Sequence, residues 1–139
     1  MRPIEGIRRD TYKNIKETRT YTVNHVPPNR AQEAHQTSAK YEVSEFDRLG
    51  FTPEYRNAFS APYVRESDIK FGLEYVETVH IKANDTRMII GTIKHLYIPN
   101  DIITTEGYLD ISNSSIGSLG LHSYYKLDHL ASYPYAKTK

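Results

Sequence analysis

Apolar and polar residues alternate along two neighbouring stretches of the chain, residues 71–81 and 87–98, which the polar segment 83–86 separates. Both stretches are rich in β-branched and aromatic residues, which are typical of strands. Asn84 and Asp85 tolerate the positive φ angles that a type I′ turn requires. The pattern therefore predicts a long β-hairpin over residues 71–98 with a two-residue turn at Asn84-Asp85.

The predicted turn fixes which residues of the two strands face one another. It opposes four apolar pairs: Ile81 with Met88, Val79 with Ile90, Leu73 with Leu96, and Phe71 with Ile98. A slip of one residue would send all of these side chains to the other face of the sheet. The same register puts His95 opposite Glu74, which we interpret as a structural cross-strand pair rather than a catalytic dyad.

The second strand of the hairpin is apolar on both faces. One face carries Ile89, Ile93 and Tyr97, and the other carries Met88, Ile90, Leu96 and Ile98. A strand that is apolar on both faces is covered on both faces. The rest of the chain supplies few further strands, so we expect the cover to come from a partner subunit or from strands outside the given residues.

Shorter elements are predicted elsewhere in the chain. Ahead of the hairpin, the pattern predicts a helix over 11–17 with Asp10 as its N-cap, a strand over 21–26, a helix over 30–39 with a capping box at Asn29 and Gln32, a helix from Ser44 to Gly50, a helical turn over 52–58 and an extended segment at 62–64. After the hairpin, we expect a short strand at 107–112 and a short helix at 127–131. These elements indicate one β-rich α+β domain.

Composition excludes several classes of protein. The 139 residues suit a single domain. The formal net charge of +1 does not favour nucleic acid as a partner, and no apolar run is long enough to span a membrane. The absence of Cys excludes disulfides, thiolate chemistry and Cys-ligated metals. The first residues lack a signal-peptide pattern, so we expect no membrane partner, no nucleic acid and a cytoplasmic location.

No catalytic side chain can be identified from residue spacing. The six histidines are scattered and none has metal-ligand spacing, so no metal site is predicted. Gly117 and Gly120 are too close together and wrongly placed to form a dinucleotide-binding fingerprint. The spacing of residues in the sequence therefore leaves any catalytic residues unknown.

Residues 8–11 form the one segment whose residue types indicate how a ligand would bind. Arg8 and Arg9 precede Asp10 and Thr11 at the predicted start of the first helix. Unpaired backbone amides at a helix start, together with two arginines, suit a phosphate group. A helix that merely follows two arginines is an equally acceptable interpretation of the same residues.

Five stretches, taken in order, carry a resemblance to a known family. They are RRDTYKNIKET (8–18), AHQTSAKYEVSEFDRLGFTPEY (34–55), SAPYVRES (60–67), the hairpin turn KANDT (82–86) and GLHSYYKLDHLASYPYAK (120–137). Together they resemble the flavin reductase-like, FMN-binding split β-barrel proteins of the flavoredoxin type. The resemblance runs over nearly the whole chain.

This resemblance implies both a fold and a function. The fold is a mainly β or α+β domain, an FMN-binding split β-barrel with Greek-key topology and short helices, which forms a homodimer with FMN near the dimer interface. The function is that of a flavin reductase-like oxidoreductase, in which NAD(P)H reduces the bound flavin and the flavin passes electrons to an acceptor. Such proteins mainly bind, orient and tune their flavin, so obvious acid–base residues are not required.

The resemblance also implies which residues bind the cofactor. The family segment that contacts the FMN phosphate maps onto Arg9, Asp10 and Thr11, with Arg8 or Arg2 as supporting charge. This agrees with the interpretation of residues 8–11 as the start of a helix that binds an anion. A Thr-Ser pair of the family maps onto Thr37 and Ser38, which we expect near the cofactor or the subunit boundary.

The chain departs from the family pattern at its beginning. Family members carry about half a barrel ahead of the phosphate segment, and here Met1 stands nine residues before Asp10. We therefore expect residues 1–139 to correspond to the C-terminal two-thirds of one family domain. An alternative function follows, a non-catalytic dimeric remnant of the fold that does not bind flavin. A weaker alternative is a module that binds small anions through residues 8–11 alone.

Overall fold

The main sheet of the protein has three antiparallel strands. The structure, a computed structural model, describes residues 10–137. The sheet order is β1 (Thr20–Asn24), β4 (Lys70–Ile81) and β5 (Thr86–Tyr97). Two smaller antiparallel sheets pair β2 (Pro53–Glu54) with β3 (Tyr63–Val64), and β6 (Ile116–Leu119) with β7 (Ser123–Lys126). Between the strands lie α1 (Asp10–Thr18), α2 (Ala31–Gln36), α3 (Glu45–Leu49) and 3-10 turns at Pro28–Arg30 and Asn100–Ile102.

The predicted long hairpin is present as β4 and β5, but the predicted turn is wrong. Four residues, 82–85, connect the strands, so Ile81 pairs with Thr86. The amide of Asn84 donates to the carbonyl of Ile81 at 3.4 Å, and Asp85 has a φ of 49°. Four-residue hairpin loops are most often built around a type I turn. This loop shifts the register by two residues relative to the predicted two-residue type I′ loop.

The observed register replaces all four predicted apolar pairs. The pairs found are Ile81 with Thr86, Val79 with Met88, Leu73 with Ile93, and Phe71 with Leu96. Two irregularities, between Gly72 and Leu73 and between Tyr75 and Glu77, shift the register along the hairpin. Each is a β-bulge, in which one strand carries a residue that the partner strand does not match.

The bulges also separate the predicted pair of His95 and Glu74. His95 faces Gly72 across the sheet, whereas Glu74 faces Thr92. The carboxylate of Glu74 instead lies 3.1 Å from the ammonium of Lys94, an exposed pair. The predicted His95–Glu74 pair is therefore wrong, because the four-residue loop shifts the register by two residues and the bulge at Val76 shifts it by one more, which brings Thr92 opposite Glu74.

Several short elements agree with the prediction. Helix α1 forms, although Asp10 lies within its first turn rather than ahead of it. Strand β1 forms and ends at Asn24. Ser44 caps α3 by accepting a hydrogen bond from the amide of Phe46, and Gly50 closes that helix at a φ of 70°, the left-handed conformation that glycine adopts without strain. Residues 63–64 are extended, as expected.

Other short elements differ from the prediction. A 3-10 turn and the six-residue α2 replace the helix over 30–39, and neither has a side-chain cap, so the Asn29–Gln32 capping box is wrong. Residues 53–54 form an edge strand, a position that tolerates Pro, rather than a helical turn. Residues 107–112 contribute only the isolated bridge between Ile103 and Leu109. Residues 127–131 are not helical, since so short a segment needs packing to fold, and the tail instead contains the unpredicted β6–β7 hairpin.

The buried core is small. Among residues 10–137, the apolar side chains that are buried are Ile15, Phe59, Tyr63, Ile69 and Tyr75. Side chains of the long hairpin stay about half exposed, including Val76, Met88, Ile93 and Leu96. The cover expected over this hairpin is therefore not supplied by the described residues. In the same part of the chain, no helix has the length and apolar character that a membrane span needs.

Candidate functional site

Helix α1, whose amino end carries the predicted phosphate residues, packs against the hairpin through one buried side chain. Ile15 is 6% exposed, while Tyr12 on the same side is partly buried. The guanidinium of Arg87, on β5, lies 5.3 Å from the centre of the Tyr12 ring. These contacts hold α1 on the sheet along its apolar side, so that its polar side faces outward.

Tyr75 is the side chain of β4 to which α1 is attached. The ammonium of Lys16 donates a hydrogen bond to the Tyr75 hydroxyl at 3.2 Å and lies 4.8 Å from the ring centre. The same hydroxyl bonds the Thr78 hydroxyl at 2.9 Å. The hydrogen bond with Thr78, followed by the bond from Lys16, lowers the pKa of the Tyr75 phenol. The phenol therefore links the helix to the strand beside a bulge.

Arg19 closes α1 and adds a second cation to Tyr75. Its φ of 61° lies in the left-handed region, and its amide donates to the carbonyl of Ile15 at 3.0 Å, which ends the helix. Its guanidinium lies 4.2 Å from the Tyr75 ring centre and donates to the Tyr75 carbonyl at 3.2 Å. Two cations near one ring, one of them hydrogen-bonded to its hydroxyl, fix the direction in which α1 leaves the sheet.

A glycine of β5 makes room for a tyrosine of β1 beside this attachment. A Cβ placed on Gly91 would overlap the Tyr21 hydroxyl and lie 2.8 Å from the carbonyl of Glu74. Burial raises the pKa of Tyr21. Any larger residue at position 91 would push β1 away from the hairpin, and α1 directly precedes β1 in the chain.

The predicted phosphate residues lie at the free end of this helix. Arg8 and Arg9 fall outside the described residues. Asp10 and Thr11 are both exposed in the first turn of α1. The first amides of a helix have no partner within the helix itself, and Thr11 adds a hydroxyl at this end.

Thr37 and Ser38 lie at the carboxyl end of α2 and use their hydroxyls locally. Thr37 donates to the carbonyl of Ala34 at 2.7 Å, and Ser38 donates to the carbonyl of His35 at 2.8 Å. The ring of His35 in turn bonds the hydroxyl of Tyr124 on β7 at 3.0 Å. His35 therefore links α2 to β7, whereas Lys16 links α1 to β4.

A charged cluster near the start of β4 was not predicted. The carboxylate of Glu54 bonds the ammonium of Lys70 at 3.0 Å and the guanidinium of Arg56 at 2.8 and 3.0 Å. The hydrogen bond from Arg56, followed by that from Lys70, lowers the pKa of Glu54 to about 2. Nothing in the sequence beyond a Lys ahead of an apolar strand signals this contact, since Glu54 and Lys70 are 16 positions apart.

An aromatic cluster packs beside these charges. The rings of Phe59, Tyr63, His95 and Tyr97 lie within 5.3 to 6.4 Å of one another in successive pairs. Tyr63 is fully buried, and burial raises its pKa to about 12. Its hydroxyl has no hydrogen-bond partner among the described residues and lies where a Cβ at Gly72 would be.

No group of three or more His, Asp or Glu side chains within residues 10–137 is placed to hold a metal ion. The structure also has two cavities, neither of which is lined by residues of α1. One, of about 840 Å³, lies between residues 104–112 and 127–135. The other, of about 450 Å³, lies where β4 begins and β5 ends.

Comparison with known proteins relates this architecture to a family. The family model described as "Flavin reductase like domain" matches residues 6–115, which include α1 and the whole long hairpin. The chain is similar to a solved structure of a flavin reductase with a split barrel domain from Shewanella frigidimarina NCIMB 400. The identity is 41% and the TM-score 0.88, over 91% of this chain and 66% of that one.

Two more distant proteins extend the comparison. An uncharacterized protein of Aquifex aeolicus (strain VF5) is 26% identical over 121 residues, which are 85% of this chain and 61% of that protein. The flavoredoxin of Desulfovibrio vulgaris (Miyazaki F) shares the fold at 20% identity and a TM-score of 0.74, over 93% of this chain and 71% of that one. The chain thus spans about two-thirds of the length of these proteins.

The predicted fold class is confirmed by these similarities, since strands with few short helices match split-barrel structures throughout. The match of the family model covers well over half of the chain. This chain belongs to the flavin reductase like domain family.

Proposed function

We propose that the protein is an FMN-binding flavoprotein and a flavin reductase-like oxidoreductase, which passes electrons from NAD(P)H through the bound flavin to an acceptor. The observation that carries this proposal is the family match over residues 6–115, within which α1 presents its amino end to solvent. Bound flavin would supply the two-electron chemistry. The chain's own residues bind it, orient it and limit its contact with water.

The phosphate of FMN is assigned to the start of α1. Exposed Thr11 has a hydroxyl donor beside the first amides of a nine-residue helix, and these groups suit a phosphate. Arg8 and Arg9 would add charge-assisted bonds, and Asp10, next to them in sequence, would orient these arginines. The Lys16 and Arg19 contacts to Tyr75 hold the helix, so its amino end is set before the ligand arrives.

Thr37 and Ser38 are assigned a supporting role near the cofactor or the subunit boundary. Their hydroxyls donate to α2 carbonyls, which leaves the oxygen lone pairs as acceptors at an exposed surface. These hydroxyl oxygens would therefore accept a hydrogen bond from a ligand while keeping their own bonds to the α2 carbonyls. This pair therefore contributes shape and weak polar contacts rather than charge.

A homodimer is part of the proposal. Ile93 and Leu96, which share one face of the hairpin, form a strip of half-exposed apolar surface that the small core of a lone chain leaves uncovered. A second copy that covers this strip would supply the missing cover. It would also exclude water from a flavin held near the interface, which strengthens the electrostatic contacts to the cofactor.

A second candidate function is a dimeric remnant of the fold that does not bind flavin. The chain spans 61% of the Aquifex protein and 66% of the Shewanella structure, so parts of those proteins have no counterpart among the given residues. If residues that line the flavin ring belong to the remainder, the helix end alone would bind phosphate weakly.

Titration of FMN with the purified protein separates these candidates, with quenching of flavin fluorescence as the signal. The flavoprotein proposal expects saturable quenching, and Arg9→Ala should weaken FMN about tenfold or more because a charge-assisted bond is lost. The same change should leave riboflavin, which has no phosphate, nearly unaffected. Arg48→Ala, at an exposed arginine of α3, serves as the control. Equal losses for FMN and riboflavin would refute the phosphate assignment.

A further inference from the structure

The cavity at the base of the hairpin has cationic walls. It measures about 450 Å³ and is lined by Arg56, Arg65, Lys70, Asp68 and Tyr97, among others. We name it the Lys70 cavity. Lys70 lies five positions before Tyr75 on β4, which corresponds to about 16 Å along a strand. The cavity is therefore separate from the attachment of α1 and from the proposed FMN phosphate site.

Lys70 is a buried cation with a donor to spare. Its exposure is 4%, which is unusual for lysine. The ammonium donates to Glu54 at 3.0 Å and to the carbonyl of Arg65 at 3.2 Å. An ammonium has three donors, so one N–H remains after these two bonds. Lys70 is among the residues that line the cavity, so this third N–H is the donor that it has left for a ligand there.

Arg56 is fixed in orientation by two contacts. Its guanidinium bonds the Glu54 carboxylate at 2.8 and 3.0 Å and lies 4.8 Å from the centre of the Tyr97 ring. A guanidinium has five N–H donors in one plane, and two are used by Glu54. The remaining N–H donors of Arg56 are held in a fixed orientation at the cavity, beside the Tyr97 ring.

Arg65 is the cation of the cavity without a neutralising partner. Its side chain is exposed and makes no hydrogen bond or ion pair with the residues that the structure describes. The cavity and its supporting carboxylate hold three cations, Arg56, Arg65 and Lys70, against two anions, Glu54 and Asp68, which leaves a net charge of +1. Since one Glu54 carboxylate pairs with both Arg56 and Lys70, these two cations are only partly neutralised, and Arg65 adds a further positive charge.

We propose that the Lys70 cavity is an oxyanion-binding site that takes a phosphate group. The spare ammonium donor, the oriented fork of Arg56 and the unpaired guanidinium of Arg65 are the donors that such a group requires. The volume of about 450 Å³ exceeds that of one phosphate. The phosphate therefore comes either from the free ion or from a nucleotide, whose remaining atoms would lie in the rest of the cavity. This site does not depend on flavin binding at α1.

Amide NMR of the ¹⁵N-labelled full chain tests this site, with sodium phosphate added at constant ionic strength. The amides of Ser67 and Lys70 should shift saturably. A phosphate bound at the start of α1 would shift Thr11 instead, so the two sites are read separately. Arg65→Gln should weaken the Ser67 and Lys70 response about tenfold, because one charge-assisted bond is lost. Arg48→Gln, which lies outside the cavity, should change nothing.

Two further ligands identify the source of the phosphate. Adenosine diphosphate that binds more tightly than the free ion, with adenosine itself silent, would assign the site to a nucleotide. Equal affinity would assign it to the free ion. Unmoved Ser67 and Lys70 amides, or an Arg65→Gln variant that responds like the wild type, would overturn the proposal and leave Glu54, Arg56 and Lys70 as a purely structural link. Arg65 is exposed and unpaired, so its replacement does not threaten folding.

Discussion

The ammonium of Lys16 donates a hydrogen bond to the hydroxyl of Tyr75 at 3.2 Å, across 59 positions of the sequence. This bond joins α1 to the central strand of the sheet. The orientation of the helix end that we assign to the FMN phosphate therefore depends on a side chain of β4 and not only on residues near the helix. A change at Tyr75 should reach the ligand through α1.

Two buried tyrosines provide a matched test of this arrangement. Tyr75→Phe removes the acceptor of the Lys16 bond and should lower the free energy of unfolding. Tyr63→Phe removes a buried hydroxyl without a partner among the described residues, so it should be neutral or stabilising by up to about 1 kcal/mol. Urea denaturation of both variants measures the difference. A larger loss for Tyr63→Phe than for Tyr75→Phe would contradict the assigned contacts.

The packing of α1 rests on Ile15, which is 6% exposed. Ile15→Ala should cost about 2–3 kcal/mol, at the low end for a buried isoleucine, because the core around it is small. Ile103→Ala is the matched control, since Ile103 is 44% exposed and should cost much less. Thermal or urea unfolding gives both values. Similar losses at the two positions would mean that α1 does not pack on the sheet in solution.

The Glu54 contacts predict a dependence of stability on pH. The pKa of Glu54 is lowered from 4.5 to about 2 in the folded protein. Its contribution is therefore fully present above pH 4.5 and is lost as the pH falls from there towards 2. Glu54→Gln should cost about 2 kcal/mol at pH 7, since Lys70 loses its carboxylate, and this cost should shrink towards pH 2.

Glu42→Gln is the control for that experiment, because Glu42 is exposed. Urea unfolding of the wild type and both variants between pH 2 and 7 measures the effect. A Glu54→Gln penalty that stays constant over this range would show that the carboxylate is not the group responsible.

The half-exposed hairpin strip predicts the effect of a charge within it. Ile93→Asp should convert a dimer into a monomer, since an unpaired carboxylate would be buried in the interface. Thr92→Asp, one position away and on the opposite face of β5, should be much less damaging. Sedimentation equilibrium gives the oligomeric state of both. If Ile93→Asp dimerises as well as the wild type, the strip is not the subunit interface.

The sequence predicts the hairpin well but not its register. Alternation of apolar residues reports which segments are strands, and this is a local property. The register depends on a four-residue loop and on two bulges, at which Val76 and Lys94 have no opposite residue. Loop length and bulges depend on contacts between distant segments, which no local pattern contains. The helical turn expected at 52–58 is absent for the same reason, because Glu54 pairs with Tyr63 in a strand instead.

The candidate site also contains one part that local sequence predicts and another part that depends on distant contacts. The start of α1 is local, so Asp10 and Thr11 are found at a helix end as predicted, although Asp10 lies inside the first turn. The contacts that hold this helix, from Lys16 and Arg19 to Tyr75, link distant segments and give no sequence signal. The Glu54–Lys70 pair was missed for that reason too. The cofactor roles of Arg8, Arg9, Thr37 and Ser38 stay predictions from the family resemblance.

Equilibrium binding of FMN to the wild-type chain, followed by flavin fluorescence, tests the flavoprotein proposal most directly. We expect saturable quenching with one FMN per chain, and tighter binding of FMN than of riboflavin because the phosphate contacts the start of α1. An absence of quenching at any accessible protein concentration, with the chain folded by circular dichroism, would contradict it. The flavoprotein proposal would then fail for residues 1–139.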